Sequence, residues 1–282
     1  MKYGGREKAR KATTATARAS DLRRGAWVAY VIRISVQHTH YGHISIKLTV
    51  MPEEDLPRAL EVLWREPAPA RRTRGLSRER IVAAAVEVAD AEGLGALSMA
   101  RLAERLDCGT MSLYRHVANK NELVTFMLST APGPPPEPSD PADWRGALTD
   151  WAMGLWDVYH RHPWVLQAAS AGPPADPGQL AWLNAGLAAL GDTNLAERDK
   201  LAAVMAVLHF VRGAAALAIE AAPVDGPQYP ALLRRVIDAD RFPALSAALD
   251  AGAFDDADDD HRAEFRSGLG QLLDGIAVRT AG

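Results

Sequence analysis

The sequence predicts an all-α chain, with a small helix-turn-helix head of three helices and a larger helical body. Three observations carry this. From Ser77 onward apolar residues recur at helical spacing and no convincing alternating run appears. Residues that cap helices well (Ser77, Ser98 and Asn119) stand directly before those segments. A Pro-rich break at 131–141, which no helix can cross, separates the head from the body.

Composition bounds the rest. A chain of 282 residues, 48% hydrophobic, is long enough for two packed domains. The formal net charge of -3 does not announce a polyanionic partner. Its distribution is more telling: Arg71 to Lys120 holds nine Lys/Arg against six Asp/Glu, while the acidic excess lies elsewhere, notably from Asp255 to Asp260. That acidic run lacks the ligand pattern of a calcium loop and reads as a solvated loop. Cys108 stands alone, which excludes an intrachain disulfide and suits a reducing compartment. No apolar run reaches the length of a membrane span, and the apolar stretch Trp27 to Ile34 is interrupted by Arg33. The expectation is a cytoplasmic protein with no membrane partner.

Residues 1–76 read as an N-terminal extension, largely disordered. Residues 1–25 are basic and rich in Ala and Thr. Residues 26–50 alternate like strands, with Ile44, Ile46 and Leu48 on one face and Ser45 and Lys47 on the other. Two strands alone are marginal. His38, His40 and His43 fall in this stretch, but no metal site is expected there. A short amphipathic helix near 53–65 places Leu56, Leu60 and Leu63 on one side, and a Pro- and Arg-rich linker follows. One reading makes Met51 the natural start and 1–50 an over-extended reading frame; the other keeps 1–50 in the natural protein. A peptide from upstream of Met51, found in the natural protein by mass spectrometry, refutes the first.

Residues 77–130 form the head. Ser77 caps a first helix that carries Ile81, Ala84, Ala85, Val88 and Ala89 to about Glu92, where Gly93 stops it. Ser98 caps a second, short helix with Met99, Leu102, Ala103 and Leu106 on its apolar face. The turn Asp107-Cys108-Gly109 needs a left-handed residue, which Gly, Asn or Asp tolerates. A third helix runs from Thr110 to about His116, and Asn119 with Glu122 makes a capping box for a fourth. Two short helices joined by a three-residue turn are a helix-turn-helix, whose second helix enters the major groove of DNA. Thr110, Met111 and Ser112 lead that helix and are small enough to approach base edges; Tyr114, Arg115 and Lys120 are placed to reach phosphates. Leu102, Ala103, Leu106, Leu113 and Val117 are expected in the core, and Cys108 is expected to be a small buried hydrophobe.

The run Ile81 to Leu123 resembles the DNA-binding domain of the TetR family. The resemblance centres on Leu97-Ser98-Met99-Ala100-Arg101-Leu102-Ala103-Glu104-Arg105-Leu106 and Leu113-Tyr114-Arg115-His116-Val117-Ala118-Asn119-Lys120. It implies that Tyr114 and Lys120 grip phosphates and that Thr110 and Ser112 face bases; Ser98 and Arg101 join them in the expected DNA-binding set. The chain departs from the family where Asp107 and Cys108 replace the usual Gly and Val of the turn. Where the tetracycline repressor itself has a base-reading arginine early in the second helix, this chain has Ala100, with Arg101 beside it. A shared operator is therefore not expected.

Residues 131–282 read as a ligand-binding and dimerisation domain. Trp144, Leu148, Trp151, Leu155 and Val158 mark one amphipathic helix, and Pro163 allows another to start after His162. Leu180 to Leu190 is a helix ended by Gly191, and Lys200 to Ala222 is apolar nearly all round, hence central. Shorter helices follow near 229–239 and 243–250, and the last helix aligns Phe265, Leu269, Leu272 and Ile276. Two late helices with apolar stripes suit a four-helix homodimer interface. The motif Tyr159-His160-Arg161-His162-Pro163-Trp164, with Leu180-Ala181-Trp182-Leu183, resembles the tetracycline-repressor-like C-terminal domain, which implies an inducer pocket inside the bundle. The candidate lining is Trp151, Trp156, His160, Trp164, Trp182, His209 and Arg212, against the plainer alternative of core tryptophans and a buried His–Arg pair.

Together these readings predict a ligand-responsive transcriptional regulator. It is expected to be a repressor that binds a palindromic operator in double-stranded DNA as a homodimer and is released by a small-molecule inducer. The alternative is an architectural or constitutive DNA binder without an inducer. No Gly-x-Ser-x-Gly, phosphate loop or metal-ligand set is legible, so no catalytic residue, cofactor or metal is expected.

Overall fold

Helix starts are set by side chains that satisfy the first free N–H groups. The structure, a computed structural model, describes residues 32–38, 44–50, 56–65, 75–140, 142–220, 229–254 and 261–280. The chain divides into two units, Met1–Leu56 and Pro57–Gly282. In the first, strands β1 (Ile32–His38) and β2 (Ile44–Val50) pair antiparallel, with Ile34 opposite Leu48 and Val36 opposite Ile46. The disorder expected of residues 1–25 lies outside the described residues.

The second unit is all-α. Helix α1 (Arg58–Trp64) is shorter than the helix expected near 53–65; Leu60 is buried on it, while Leu56 precedes it and is exposed. The head follows as α2 (Arg78–Glu92), α3 (Met99–Arg105), α4 (Thr110–Tyr114) and α5 (Lys120–Thr130). Ser77 Oγ accepts the Arg80 N–H, Ser98 Oγ the Arg101 N–H, and Asn119 Oδ1 the Glu122 N–H. The second half of the expected capping box is displaced by one residue, because Glu122 Oε2 accepts the N–H of Ala118 and not that of Asn119. Ile81, Ala85, Leu102, Leu113, Val117 and Leu123 close the head's core at zero exposure. Leu106 is only half-buried at the edge of the turn.

The body consists of α6 (Trp144–Arg161), α7 (Trp164–Ala168), α8 (Pro177–Ala189), α9 (Glu197–Glu220), α10 (Tyr229–Val236), α11 (Pro243–Asp250) and α12 (His261–Thr280). Asp143 and Asp176 cap α6 and α8 by accepting N–H groups of their first turns. Helix α9 is central and packs on α6, α8 and α12. It is long and apolar enough to cross a membrane, but Val204, Val207, Val211 and Ala215 bury one of its faces within the bundle. The buried stripe of α12 is Phe265, Leu269, Leu273 and Ile276; Leu272, expected on that stripe, is only half-buried beside it. Helix α5 meets the body at its far end. The Gly178 N–H at the start of α8 donates to Ser129 Oγ, and a Cβ at Gly178 would collide with the Ser129 carbonyl.

Candidate nucleic-acid interface and ligand cavity

The turn between α3 and α4 is built on Asp107, at φ +49°. The Asp107 N–H donates to Glu104 O and the Cys108 N–H to Ala103 O, the paired bonds of a Schellman helix ending. The backbone therefore does at Asp107 what glycine does elsewhere. Cys108 is half-buried against the head's core. Leu113 and Val117 anchor α4 from below, which presents Met111, Tyr114 and Arg115 outward, with Met111 75% exposed. Thr110 and Ser112 are half-buried beside it.

The other expected DNA contacts are partly engaged within the protein. Ser98 caps α3, and Arg101 pairs with Glu92 at 2.5 Å. Lys120, the first residue of α5, donates from Nζ to Leu94 O at 3.2 Å and remains exposed. Arg115 has no hydrogen-bonding or charged partner among the described residues, so its guanidinium is available to a phosphate.

Besides the contact of α5 with α8, a carboxylate node ties the head to the body. Asp90 Oδ1, near the end of α2, accepts both His162 Nδ1–H and Trp164 Nε1–H, each at 2.7 Å. His162 ends α6 and Trp164 opens α7, and both are buried.

Within the body a cavity of about 440 Å³ is lined by α5, α6, α7, α8, α9 and the loop 172–174. That volume suits a drug-sized ligand. Trp151 and Trp182 form rigid walls, since Trp151 Nε1 donates to Trp182 O at 2.7 Å and Trp182 Nε1 to Gly133 O at 2.9 Å. Leu155, Val158, Val165, Leu183, Met205 and Leu208 complete the apolar lining. The polar groups are Ser170, Gln179, His209, Arg212 and the phenol of Tyr159. Burial pushes the Tyr159 phenol up to about 12, partly offset by the nearby Arg212 guanidinium, so the hydroxyl stays neutral and can donate. Two more open grooves, of about 580 and 570 Å³, flank Leu94 and Gln167 between head and body.

Of the expected pocket residues, Trp151, Trp182, His209 and Arg212 line the cavity. Trp156, His160 and Trp164 do not. Trp156 stacks on Phe265 at 4.5 Å and meets the tilted His160 ring at 4.3 Å, on the side of α6 that faces α12. Trp164 is held by Asp90. Tyr159 is the cavity residue that sequence reasoning missed. It continues the Trp151, Leu155 face at a step of four, whereas neighbouring His160 is turned by about 100°. Among the described residues no group of three or more His, Cys, Asp or Glu is placed to hold a metal ion.

Two family models match the chain. Residues 81–125 match the family described as bacterial regulatory proteins, tetR family, and residues 137–280 match the tetracyclin repressor-like, C-terminal domain. The chain is 36% identical over 247 residues to the HTH-type transcriptional repressor DrrR1 of Streptomyces coeruleorubidus, covering 80% of this chain and 87% of that one. It is 35% identical over 230 residues to an HTH-type transcriptional regulator of Saccharopolyspora erythraea, covering 78% and 92%. Among solved structures, ActR of Streptomyces coelicolor in complex with actinorhodin superposes with a TM-score of 0.62 at 26% identity, over 74% of this chain and all of that one.

Proposed function

The chain belongs to the TetR family of bacterial transcriptional regulators, and from that premise we propose that it is a cytoplasmic, ligand-released repressor that binds a palindromic operator as a homodimer. The observation that carries the reading is helix α5. It begins at Lys120, beside the recognition helix α4, and contributes Leu128 to the cavity wall. One rigid element of eleven residues, about 16 Å long, thus belongs to both the DNA-reading end and the ligand-binding end.

In this reading residues 77–130 are the DNA-binding domain and 131–282 the ligand-binding and dimerisation domain. Thr110, Met111 and Ser112 read base edges, and Tyr114, Arg115 and Lys120 hold phosphates. Ser98 and Arg101 support α3 from behind, through the cap and the Glu92 pair. Two copies associate through α9 and α12, where Leu217 and Val278 are 73% and 76% exposed. Pairing two heads in this way sets two recognition helices about 34–36 Å apart, one turn of DNA.

The cavity takes a flat, largely apolar inducer between Trp151 and Trp182, with a polar or anionic edge toward Arg212, His209 and Tyr159. ActR of Streptomyces coelicolor, a structural relative, is known in complex with actinorhodin, which supports a small-molecule ligand for this chain. Such a ligand releases DNA by binding better to the arrangement in which the heads no longer match the operator. The cavity serves binding, not turnover.

Selection of binding sites from random duplex DNA tests the proposal. A palindrome is expected, and Arg115→Ala or Lys120→Ala should weaken binding to all sequences while lowering the salt slope by about 0.9 each. Failure to bind any duplex at low salt would sink the reading. Binding that no metabolite weakens would favour the architectural alternative.

A further inference from the structure

We propose that α1 is a strap that ties the start of α5 to the rim of the ligand cavity and holds both in the DNA-binding arrangement; this rests on the regulator reading above. Helix α1 lies outside both family-matched segments, 81–125 and 137–280. With seven residues it is too short to persist as a free helix in water. It is a helix because it is docked: Ala59 and Leu60 are buried, and Val62 and Leu63 pack against the core.

Its two ends hold two different elements. The first residue, Arg58, places Nη1 3.2 Å from Glu122 Oε2 in the first turn of α5. The Glu122 side chain is 5% exposed, and its other oxygen has no hydrogen-bond partner among the described residues. The Arg58 charge therefore offsets the burial of a carboxylate only two residues from Lys120. The last residue, Trp64, donates its indole N–H to Ala175 O at 3.0 Å. Ala175 directly follows Pro173 and Pro174, which line the cavity. The Trp64 ring is 52% exposed, so this contact fixes position more than it fills the core.

A rod of about 10 Å with an anchor at each end resists any shift of α5 against the 173–175 loop. A ligand that presses outward on Pro173 and Pro174 strains the Trp64 anchor. Ala59 and Leu60 keep the helix docked, but a strap cut at either end no longer transmits force to the other, so losing one anchor loosens the hold at both.

Amide hydrogen exchange and DNA binding by the full chain test this. Trp64→Phe removes a bond at the cavity end, yet it should speed exchange at 117–121, at the far end of α1. Arg58→Ala should speed exchange at 172–176. Each should weaken affinity for the selected duplex about five-fold with an unchanged salt slope, and the double variant should be no weaker than either single. If Trp64→Phe alters exchange only around its own contact, or the two losses multiply, the strap is refuted. Operator binding by the unmodified chain and its release by a ligand would still stand in that case, which separates this failure from failure of the regulator reading.

Discussion

Removing the Asp90 carboxylate should loosen the head from the body by an amount that can be worked out from the node. One oxygen of Asp90 accepts the N–H groups of both His162 and Trp164, and those two residues are only 7% and 4% exposed. Asp90→Ala leaves two buried donors without an acceptor, each costing about 1–3 kcal/mol. The Asp90 side chain is itself 30% exposed, so water can reach part of the site. A total of about 2–4 kcal/mol is therefore expected. Asp90→Asn keeps an amide oxygen in place and should cost roughly half as much. The assay is urea unfolding at one fixed protein concentration, because the stability of the proposed dimer depends on concentration. Trp164→Phe should cost about 1 kcal/mol in the unmodified chain and clearly less beside Asp90→Ala, where it removes a donor already orphaned. A looser head should also accept operators with a wider range of half-site spacings in the selection experiment. A loss below about 0.5 kcal/mol for Asp90→Ala, or an equal cost of Trp164→Phe in both backgrounds, would refute this account of the node.

Three further outcomes are expected. The Tyr159 phenol titrates near 12 in the fold against an ordinary 10.0, so the stability it contributes is complete below pH 10 and falls by about 1.4 kcal/mol per pH unit as pH rises from 10 to 12; alkaline denaturation curves of Tyr159→Phe should lack that limb. Leu217→Glu places a charge on an exposed apolar position of α9 and should give a folded monomer; sedimentation that still shows a dimer would place the interface elsewhere. Asp107→Val should lose about 1–2 kcal/mol because a β-branched residue resists φ +49°, while Asp107→Gly should be near neutral; thermal unfolding of the pair decides.

Local chemistry made the head legible in the sequence. Ser77, Ser98 and Asn119 each satisfy an N–H three residues on, so a cap and a helical period suffice to place α2, α3 and α5. The central position of α9 followed from its being apolar all round. What escaped was of two kinds. Some depends on angle: Tyr159 and His160 are neighbours in sequence, yet only Tyr159 faces the cavity, and Leu273 is buried where Leu272, one helical step of about 100° away, is half-buried. The rest depends on distant partners. Trp164 reads as a pocket aromatic until Asp90, 74 residues earlier, takes its N–H, and nothing near Arg58 announces Glu122, 64 residues later.

Because indoles form two of its walls, the cavity carries its own optical reporter. Trp151 and Trp182 are fixed by hydrogen bonds through their ring nitrogens, so neither ring can swing aside when a guest enters. A coloured, planar guest seated between them would quench ultraviolet emission by energy transfer, without dye or label. The chain has seven tryptophans, so the change would ride on a steady background from the remaining rings, and replacing either wall by phenylalanine would show how much of the signal it supplies. Compound collections can thus be screened directly for the inducer before any target gene is known.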